Sequence, residues 1–284
     1  MFNKLVLISN SREDIAFGNG VIAPPAAIAD SWEGLADGVY AVRPDLKPAN
    51  IVDEHEGNSL CIGVGLVNTA KSQRLMIEKY ENANNAESTT IYTKAAQQLG
   101  STYTYDFSWG GYGSDKNGIT NYTNADGSNT YGYLPNSGGS YSGSPQLSDD
   151  PSTWISGALY DFAGKSNSEV IKNITTNGSH PSTTAPMSYL MNAFNAEDCP
   201  ISVNQGFRDW FISSCGQLGL IWLNLTAINN ALTAIGGTTF TAYIYWSSSE
   251  YSSNIGWYVS LSNGIVYYYN GKFNDYRLRL VRDL

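Results

Sequence analysis

Residues 256–269, Gly-Trp-Tyr-Val-Ser-Leu-Ser-Asn-Gly-Ile-Val-Tyr-Tyr-Tyr, contain the strongest local folding signal in the chain. Two alternating runs flank Asn263-Gly264, and Asn-Gly is the preferred pair for a two-residue type I′ turn because both positions need φ > 0. The sequence therefore predicts an antiparallel hairpin. Its expected pairs are Ser262 with Ile265, Ser260 with Tyr267, and Tyr258 with Tyr269.

Strand alternation places the side chains of this hairpin on two faces of different composition. The apolar face predicts core: Trp257, Val259, Leu261, Val266 and Tyr268. The other face is predicted to meet solvent: Tyr258, Ser260, Ser262, Ile265, Tyr267 and Tyr269. Binding loops favour Tyr and Ser, because Tyr gives a large contact area at low entropic cost and Ser adapts its hydrogen bonds. Aromatic residues also favour strands in general, so a purely structural role stays open.

Two helical patterns lie upstream of the hairpin. One follows Pro186 and carries apolar residues along one side. The other begins at Ser214, has Gln217 in the position that completes a capping box, and continues with apolar spacing to Ile235. The glycine pair 236–237 is expected to end it. Helices packed on a terminal antiparallel sheet place the chain in the α+β class.

The chain is predicted to have two domains. Residues 1–85 hold short strand-like apolar runs and predict a small β-rich N-terminal domain, in which an arm at Pro24-Pro25 is expected to serve assembly. Residues 86–284 form the second. Within it, residues 103–151 are rich in Gly, Tyr, Asn and Ser, with aromatic anchors among them. This composition predicts long ordered loops rather than regular elements.

Composition and charge narrow the classes of partner. The net charge is −9 and only 14% of residues are charged, which argues against nucleic acid, since that partner requires a basic surface. No apolar run approaches the length of a membrane span, so membrane insertion is not expected. The first ten residues hold an apolar run too short for a signal peptide. If the protein acts outside a cell, release as part of a phage particle would explain this, as would a removed leader.

Catalytic and metal-binding motifs are missing from the sequence. There is no HExxH, GxSxG, P-loop or CxxC pattern, and neither His55 nor His180 lies next to a plausible nucleophile in the sequence. The acidic segment around His55 predicts a solvated turn rather than a metal site. Cys199 and Cys215 could pair, but Cys61 and both of these are more simply interpreted as small buried residues. We expect a binding protein without catalytic residues, metal or cofactor.

Four segments together resemble a known family. They are residues 246–250 (Trp-Ser-Ser-Ser-Glu), 257–259 (Trp-Tyr-Val), 263–264 (Asn-Gly) and 281–283 (Val-Arg-Asp). They resemble the C-terminal signature of C-type-lectin-fold domains of the formylglycine-generating-enzyme type, in particular the variable proteins of diversity-generating retroelements, which include phage tail-tip receptor-binding proteins. Asp209-Trp210 resembles the same family's approach to a helix, with Ser213 where Pro is usual. The resemblance covers roughly residues 105–284.

The resemblance implies a fold and a variable surface. The implied fold has two helices packed on a small twisted antiparallel sheet with long ordered loops, here preceded by the N-terminal domain. In such families adenine mutagenesis diversifies AAY codons, which cannot then encode Trp, Lys, Met, Gln or Glu. The variable region spans about 245–284, and in its stretch from Ile255 to Tyr276 the residues Trp257 and Lys272 would be fixed. The implied ligand-binding residues are Ile255, Tyr258, Ser260, Ser262, Ile265, Tyr267, Tyr268, Tyr269, Gly271, Phe273, Asp275 and Tyr276. Tyr268 belongs to the core face by alternation, and a bulge after Tyr267 would reconcile the two assignments.

The expected function is recognition of a protein or surface receptor on a host or target cell, from a virion tail tip or an extracellular surface. A homo-oligomer, with a trimer as the simplest case, fits that role. Three alternatives stay open. They are a structural virion or surface-tip protein without variation, a calcium-dependent lectin, and an oxidase or sulfatase-activating enzyme of the same fold. The lectin's usual EPN, QPD and WND triplets and the enzyme's reactive cysteine pair were not found.

Overall fold

A computed structural model describes residues 15–17, 20–51, 56–80, 107–125, 132–135, 150–151, 157–174, 186–196 and 207–284. The predictions for His55, His180 and Cys199 lie outside these ranges, as does the proposed domain boundary at residue 85. Cys61 and Cys215 are free thiols and both are buried, as expected for small core residues.

Short strands and four α-helices make up the described regular structure. The strands are β1 (Ile15–Phe17), β2 (Gly20–Ile22), β3 (Gly38–Val42), β4 (Pro48–Ala49), β5 (Gly63–Asn68), β6 (Gln73–Glu78), β7 (Phe107–Ser108), β8 (Gly132–Tyr133), β9 (Phe211–Ile212), β10 (Ile244–Ser252), β11 (Ile255–Ser260), β12 (Ile265–Tyr267), β13 (Asp275–Tyr276) and β14 (Leu280–Asp283). The α-helices are α1 (Gly164–Ile171), α2 (Met187–Asn195), α3 (Cys215–Leu223) and α4 (Leu225–Ala234). Two 3₁₀ helices span Glu56–Leu60 and Ala158–Tyr160.

The sheets are antiparallel and the class is α+β, as predicted. The larger sheet has the order β4-β3-β5-β6-β14-β9, and a four-stranded sheet has the order β10-β11-β12-β8. Two further pairs join β1 to β2 and β13 to β7. No helix in the described residues is long and apolar enough to cross a membrane.

The larger sheet joins the two ends of the chain. Val281 of β14 pairs with Ile77 of β6 on one side and with Phe211 of β9 on the other. Strands from both sides of residue 85 therefore lie in one sheet and share one hydrophobic core. The predicted division at residue 85 does not separate two sheets.

The segment predicted as one long helix from Ser214 is two helices. The capping box at Ser214 and Gln217 is present, as the sequence predicts. The break lies at Asn224, whose backbone leaves the helical region at φ −109° and ψ 11° and whose side-chain amide donates to the Leu220 carbonyl at 3.0 Å. An Asn side chain that donates to a nearby backbone carbonyl competes with the helix in this way.

The predicted end of α4 is confirmed in detail. Gly236 has φ 71°, its N–H donates to the Thr233 carbonyl at 3.0 Å, and the Gly237 N–H donates to the Leu232 carbonyl at 2.7 Å. These two bonds form a Schellman motif, which needs a residue in the left-handed region and so favours glycine. The glycine pair thus ends the helix through backbone geometry.

The central hairpin forms, but its turn differs from the predicted one. Tyr258 pairs with Tyr267 and Ser260 with Ile265, so the loop has four residues, 261–264, rather than two. Only Gly264 has positive φ, at 70°, and Asn263 instead accepts the Ile265 N–H on its side-chain oxygen at 3.2 Å. The pairing has shifted by two residues, so each side chain keeps its predicted face.

Both faces of the hairpin are packed. Trp257, Val259 and Val266 lie in one hydrophobic cluster with residues of the larger sheet and of α3 and α4. Tyr258 lies in a second cluster with Trp246, and Tyr267 packs against that cluster. Part of the predicted solvent face, at Tyr258 and Tyr267, therefore packs in a second core.

Lys79 is an ionisable group buried beside the larger sheet, and it gives a testable pH dependence. Its ammonium donates to the carbonyls of Ser59 at 2.8 Å and Cys61 at 3.0 Å. Burial lowers the pKa of Lys79 from 10.5 to about 8. Between these values the unfolded chain binds more protons than the folded chain, so this lysine makes the free energy of unfolding rise with pH.

We expect the free energy of unfolding of wild type relative to Lys79→Met to increase from about pH 8 to pH 10.5. Urea titrations at several pH values measure it. Tyrosines titrate in both proteins, so their contribution cancels in the difference. A difference that stays flat across this range would contradict the buried position of the ammonium.

Candidate functional site

Four tyrosines form a continuous aromatic surface, which we call the tyrosine patch: Tyr251, Tyr267, Tyr268 and Tyr269. The Tyr251 and Tyr268 rings stack with centroids 4.3 Å apart and planes 15° apart. Tyr269 lies 4.5 Å from Tyr268 and 5.4 Å from Tyr267 between ring centroids. Tyr269 is 54% exposed, and the other three are half-buried. The patch thus combines three half-buried tyrosine rings with the exposed ring of Tyr269.

The patch arises where β12 ends. Tyr267 is the last residue of the strand, and the chain then bends through residues 268–270. Tyr268 stays on the apolar face of the hairpin, where its ring centroid lies 5.5 Å from that of Trp257. The bend brings Tyr269 alongside Tyr268. The predicted bulge after Tyr267 is therefore replaced by the end of the strand.

Two tyrosines predicted to face solvent are buried instead. Tyr258 and Tyr276 have ring centroids 5.0 Å apart and both contact Trp246. The Asn270 amide donates to both hydroxyls, at 3.0 Å to Tyr258. Burial is the largest cause that raises the pKa of both phenols, to about 12 for Tyr276. These side chains cannot contact a partner while the fold is intact.

The predicted binding residues thus divide by exposure. The buried ones are Tyr258, Ser260, Ile265 and Tyr276. The half-buried ones are Ile255, Tyr267, Tyr268, Gly271, Phe273 and Asp275. The exposed ones are Ser262 and Tyr269.

A strand distant in sequence pairs with the edge of the hairpin. Ile265 and Val266 pair with Tyr133 and Gly132 of β8, and the Leu134 N–H donates to the Gly264 carbonyl at 2.6 Å. This two-residue strand lies in the Gly- and Tyr-rich segment, where no periodic pattern predicts a strand. The sequence therefore carried no signal for the pairing of β8 with β12.

A buried ion pair lies under the loop that follows the patch. Glu250 and Lys272 form a salt bridge with no solvent exposure of either side chain, and the Lys272 ammonium also lies 4.4 Å from the Trp109 ring centroid. Lys272 was predicted to be a fixed position, and the structure places its side chain in this buried pair. The role of Glu250 was not predicted, since a lone carboxylate in a serine-rich segment has no partner within its own strand.

Two of the segments that carry the family resemblance are in direct contact. Asp209 and Arg282 form a salt bridge at 3.0 Å, which joins the segment before α3 to the C-terminal strand. The Trp246 indole N–H donates to the Phe107 carbonyl and the Trp257 indole N–H to the Tyr122 carbonyl, each at 2.9 Å. The indoles thereby hold the loop-rich segment against the hairpin.

The serine run 247–249 is a buried polar network rather than a surface site. Ser249 donates to the Asp161 carboxylate at 2.6 Å and accepts the Cys215 N–H at 2.9 Å. Ser247 donates to the Trp257 carbonyl at 2.8 Å. These bonds satisfy the first backbone N–H of α3 and a carbonyl of the hairpin, and Ser247 and Ser249 are both buried.

Other features of the described residues do not add to the patch. A cleft of about 560 Å³ is lined by Gly111, Lys116, Asn117, Glu169, Val170, Asn173 and Ile174, none of them a predicted binding residue. Among the described residues, no three His, Cys, Asp or Glu side chains lie close enough to hold a metal ion.

Comparison with known proteins gives little resemblance. No family model and no curated protein matches this chain. One solved structure, a fimbrial protein from Bacteroides ovatus ATCC 8483, is similar at a TM-score of 0.42 and 17% sequence identity. The match covers 88% of this chain and 49% of that protein, so this chain spans about half of its length. A likeness at this level assigns neither fold family nor function.

Proposed function

We propose that this chain is a binding protein that recognises a receptor on the surface of a host or target cell through the tyrosine patch. The observation that carries the proposal is the arrangement of Tyr267, Tyr268 and Tyr269, in which rings in mutual contact rest on a buried framework and reach solvent at Tyr269. Large aromatic side chains fixed in this way lose little entropy on binding, and Tyr is enriched among interface hot spots.

The finer fold assignment is part of the same proposal. We infer a C-type-lectin fold from the sequence resemblance, and the pairing of Asp209 with Arg282 supports it by bringing two of the resembling segments together. A virion tail tip or another extracellular surface is the proposed location. A trimer remains the proposed assembly.

The proposed ligand-binding surface contains fewer residues than the sequence implied. Burial removes Tyr258, Ser260, Ile265 and Tyr276 from direct contact with a partner. What remains is the patch with Ser262 and the neighbouring half-buried residues, of which Phe273 lies edge-on to Tyr112 at 5.1 Å. Few charges lie among these residues, so contact would depend on aromatic area and hydrogen bonds.

Replacing Tyr267, Tyr268 and Tyr269 together with Ala is expected to abolish measurable attachment, because truncating even one aromatic hot spot costs about 2 kcal/mol or more of binding. Flow cytometry of the fluorescently labelled protein on a panel of intact bacterial strains measures it, with protease-treated cells to identify protein receptors. Tyr160→Ala is the matched control, since Tyr160 is 52% exposed and contacts Phe162 instead of the patch. Equal attachment by the folded triple variant would contradict the proposal.

Variation is tested at the coding locus. We expect a neighbouring reverse-transcriptase gene and a near-identical repeat that differs from the coding sequence at adenines. Among natural variants, Trp257 and Lys272 should stay constant, and Tyr269 should accept more replacements than the buried Tyr258. A locus without such a repeat would favour the alternative, a surface-tip protein with a constant binding face.

A further inference from the structure

The Glu250–Lys272 pair is held in place by backbone bonds on both sides. The Tyr122 N–H donates to the Glu250 carbonyl at 2.9 Å. The Lys272 N–H donates to the Asn254 carbonyl at 2.9 Å, and the Lys272 carbonyl accepts the Gly110 N–H at 3.0 Å. Each side chain therefore projects from a fixed backbone, and the ammonium nitrogen is in contact with a carboxylate oxygen.

The surroundings of the pair favour its uncharged forms. Burial is the largest cause that raises the pKa of Glu250 and also the largest cause that lowers the pKa of Lys272. Both shifts make transfer of a proton from the ammonium to the carboxylate easier, and this transfer needs no proton from solvent. The products are a carboxylic acid and a free amine, which is a nucleophile.

The carboxyl group also has a donor for the charge that nucleophilic attack would create. The Lys116 N–H lies 3.3 Å from one oxygen of Glu250 and 3.2 Å from the other. A backbone N–H aimed at a carbonyl oxygen stabilises the oxyanion of a tetrahedral intermediate. The Trp109 ring on the other side of Lys272 helps exclude water from the reacting atoms.

We propose that Glu250 and Lys272 condense to form an intramolecular amide bond. The Lys272 Nζ lone pair attacks Glu250 Cδ, and the oxygen that receives the negative charge accepts the Lys116 N–H. The intermediate then expels the hydroxyl group, which takes a proton from Nζ and leaves as water. One N–C bond forms, one C–O bond breaks, and no oxidant is needed. Groups held in contact react far faster than the same groups free in solution.

The link would join β10 to the loop directly after the tyrosine patch. It would limit how far this loop can move in the folded protein and would restrict the unfolded chain, as a disulfide does. The described cysteines Cys61 and Cys215 are unpaired and supply no such restraint. This inference does not depend on the proposed function, since the bond can form whatever the patch binds.

Mass spectrometry of the purified full chain tests the proposal, after digestion with trypsin under denaturing conditions. Residues 209–277 contain a single internal trypsin site, at Lys272. Amide formation removes the positive charge that trypsin recognises, so we expect an uncut peptide 209–277 that is lighter than its sequence mass by one water. Fragment ions should assign the loss to a bond between Glu250 and Lys272.

Lys272→Arg is the matched control, because it keeps the buried positive charge but its guanidinium is a poor nucleophile. This variant should give separate peptides 209–272 and 273–277 at their full masses. If the folded wild-type chain also gives these two peptides at full mass, the pair is an ordinary salt bridge and the proposal is overturned. The peptide masses that decide the question are measured on the wild-type chain, so the test remains valid even if the variant does not fold.

Discussion

Replacing Glu250 with Ala is expected to lower the free energy of unfolding by about 3–5 kcal/mol, because it leaves the Lys272 ammonium buried without a partner. Neither side chain of the pair is exposed, so solvent cannot take the place of the carboxylate. The loss also removes the acceptor for the Lys116 N–H. Urea unfolding at neutral pH, followed by circular dichroism, measures the change.

Two further variants separate charge from packing. Lys165→Ala removes a salt bridge to Asp283 in which both side chains are 51% exposed, and exposed pairs contribute only about 0–1 kcal/mol. The double variant Glu250→Met with Lys272→Met leaves no buried charge, so it should be more stable than Glu250→Ala by the part of the loss that comes from the unpaired ammonium rather than from the link between the two residues. If Glu250→Ala were no more harmful than Lys165→Ala, the pair would not be buried as described.

Replacing Tyr258 with Ala is expected to destabilise the protein by about 3–5 kcal/mol, the usual cost of removing a buried aromatic ring. Tyr258 is 3% exposed and contacts the rings of Trp246, Tyr267 and Tyr276. Its removal would leave a cavity in the second core. Thermal or urea unfolding of the variant measures the loss.

The matched variant is Tyr269→Ala, in the same hairpin and of the same chemistry, at a residue that is 54% exposed. Surface substitutions of this kind change stability by about 0.5 kcal/mol or less. Tyr258→Phe, which removes only the hydroxyl that accepts the Asn270 amide, should cost about 1 kcal/mol. Equal losses for Tyr258→Ala and Tyr269→Ala would mean that the hairpin presents both tyrosines to solvent, as the sequence alone suggests.

The contrast between Tyr258 and Tyr269 changes how a tyrosine-rich strand should be interpreted. Both residues satisfy the codon rule and both lie in the tyrosine-rich segment, but only Tyr269 is exposed to a partner. In a diversified protein, replacing Tyr258 would alter stability before it altered recognition. Sequence variation is therefore expected to concentrate at the bend after β12, where the buried part of the hairpin ends.

Local signals in the sequence were sufficient for several elements. Alternation around Asn263-Gly264 predicted the hairpin and assigned Trp257 and Val266 to the core. The capping box at Ser214 and the glycines after α4 predicted two helix ends, because these signals depend only on neighbouring residues. Each side chain of the hairpin also lies on its predicted face although the turn is of another type, because a shift of two residues preserves alternation.

Other features depended on contacts between distant segments. β8 pairs with β12, Asn270 links Tyr258 to Tyr276, and Glu250 meets Lys272. None of these pairings has a periodicity or a spacing that the sequence displays. Short strands in a Gly- and Tyr-rich segment have no local preference strong enough to predict them, and their positions are fixed only by what they pack against.

The sequence by itself determined the α+β class, the hairpin, the apolar face of that hairpin and the boundaries set by capping residues. Only the tertiary structure decided which tyrosines reach solvent. The physical reason is that alternation tells which side of a strand a residue faces, whereas exposure depends on whether another segment covers that side. Here a second core contains Tyr258, whereas Ser262 and Tyr269 on the same predicted face remain exposed.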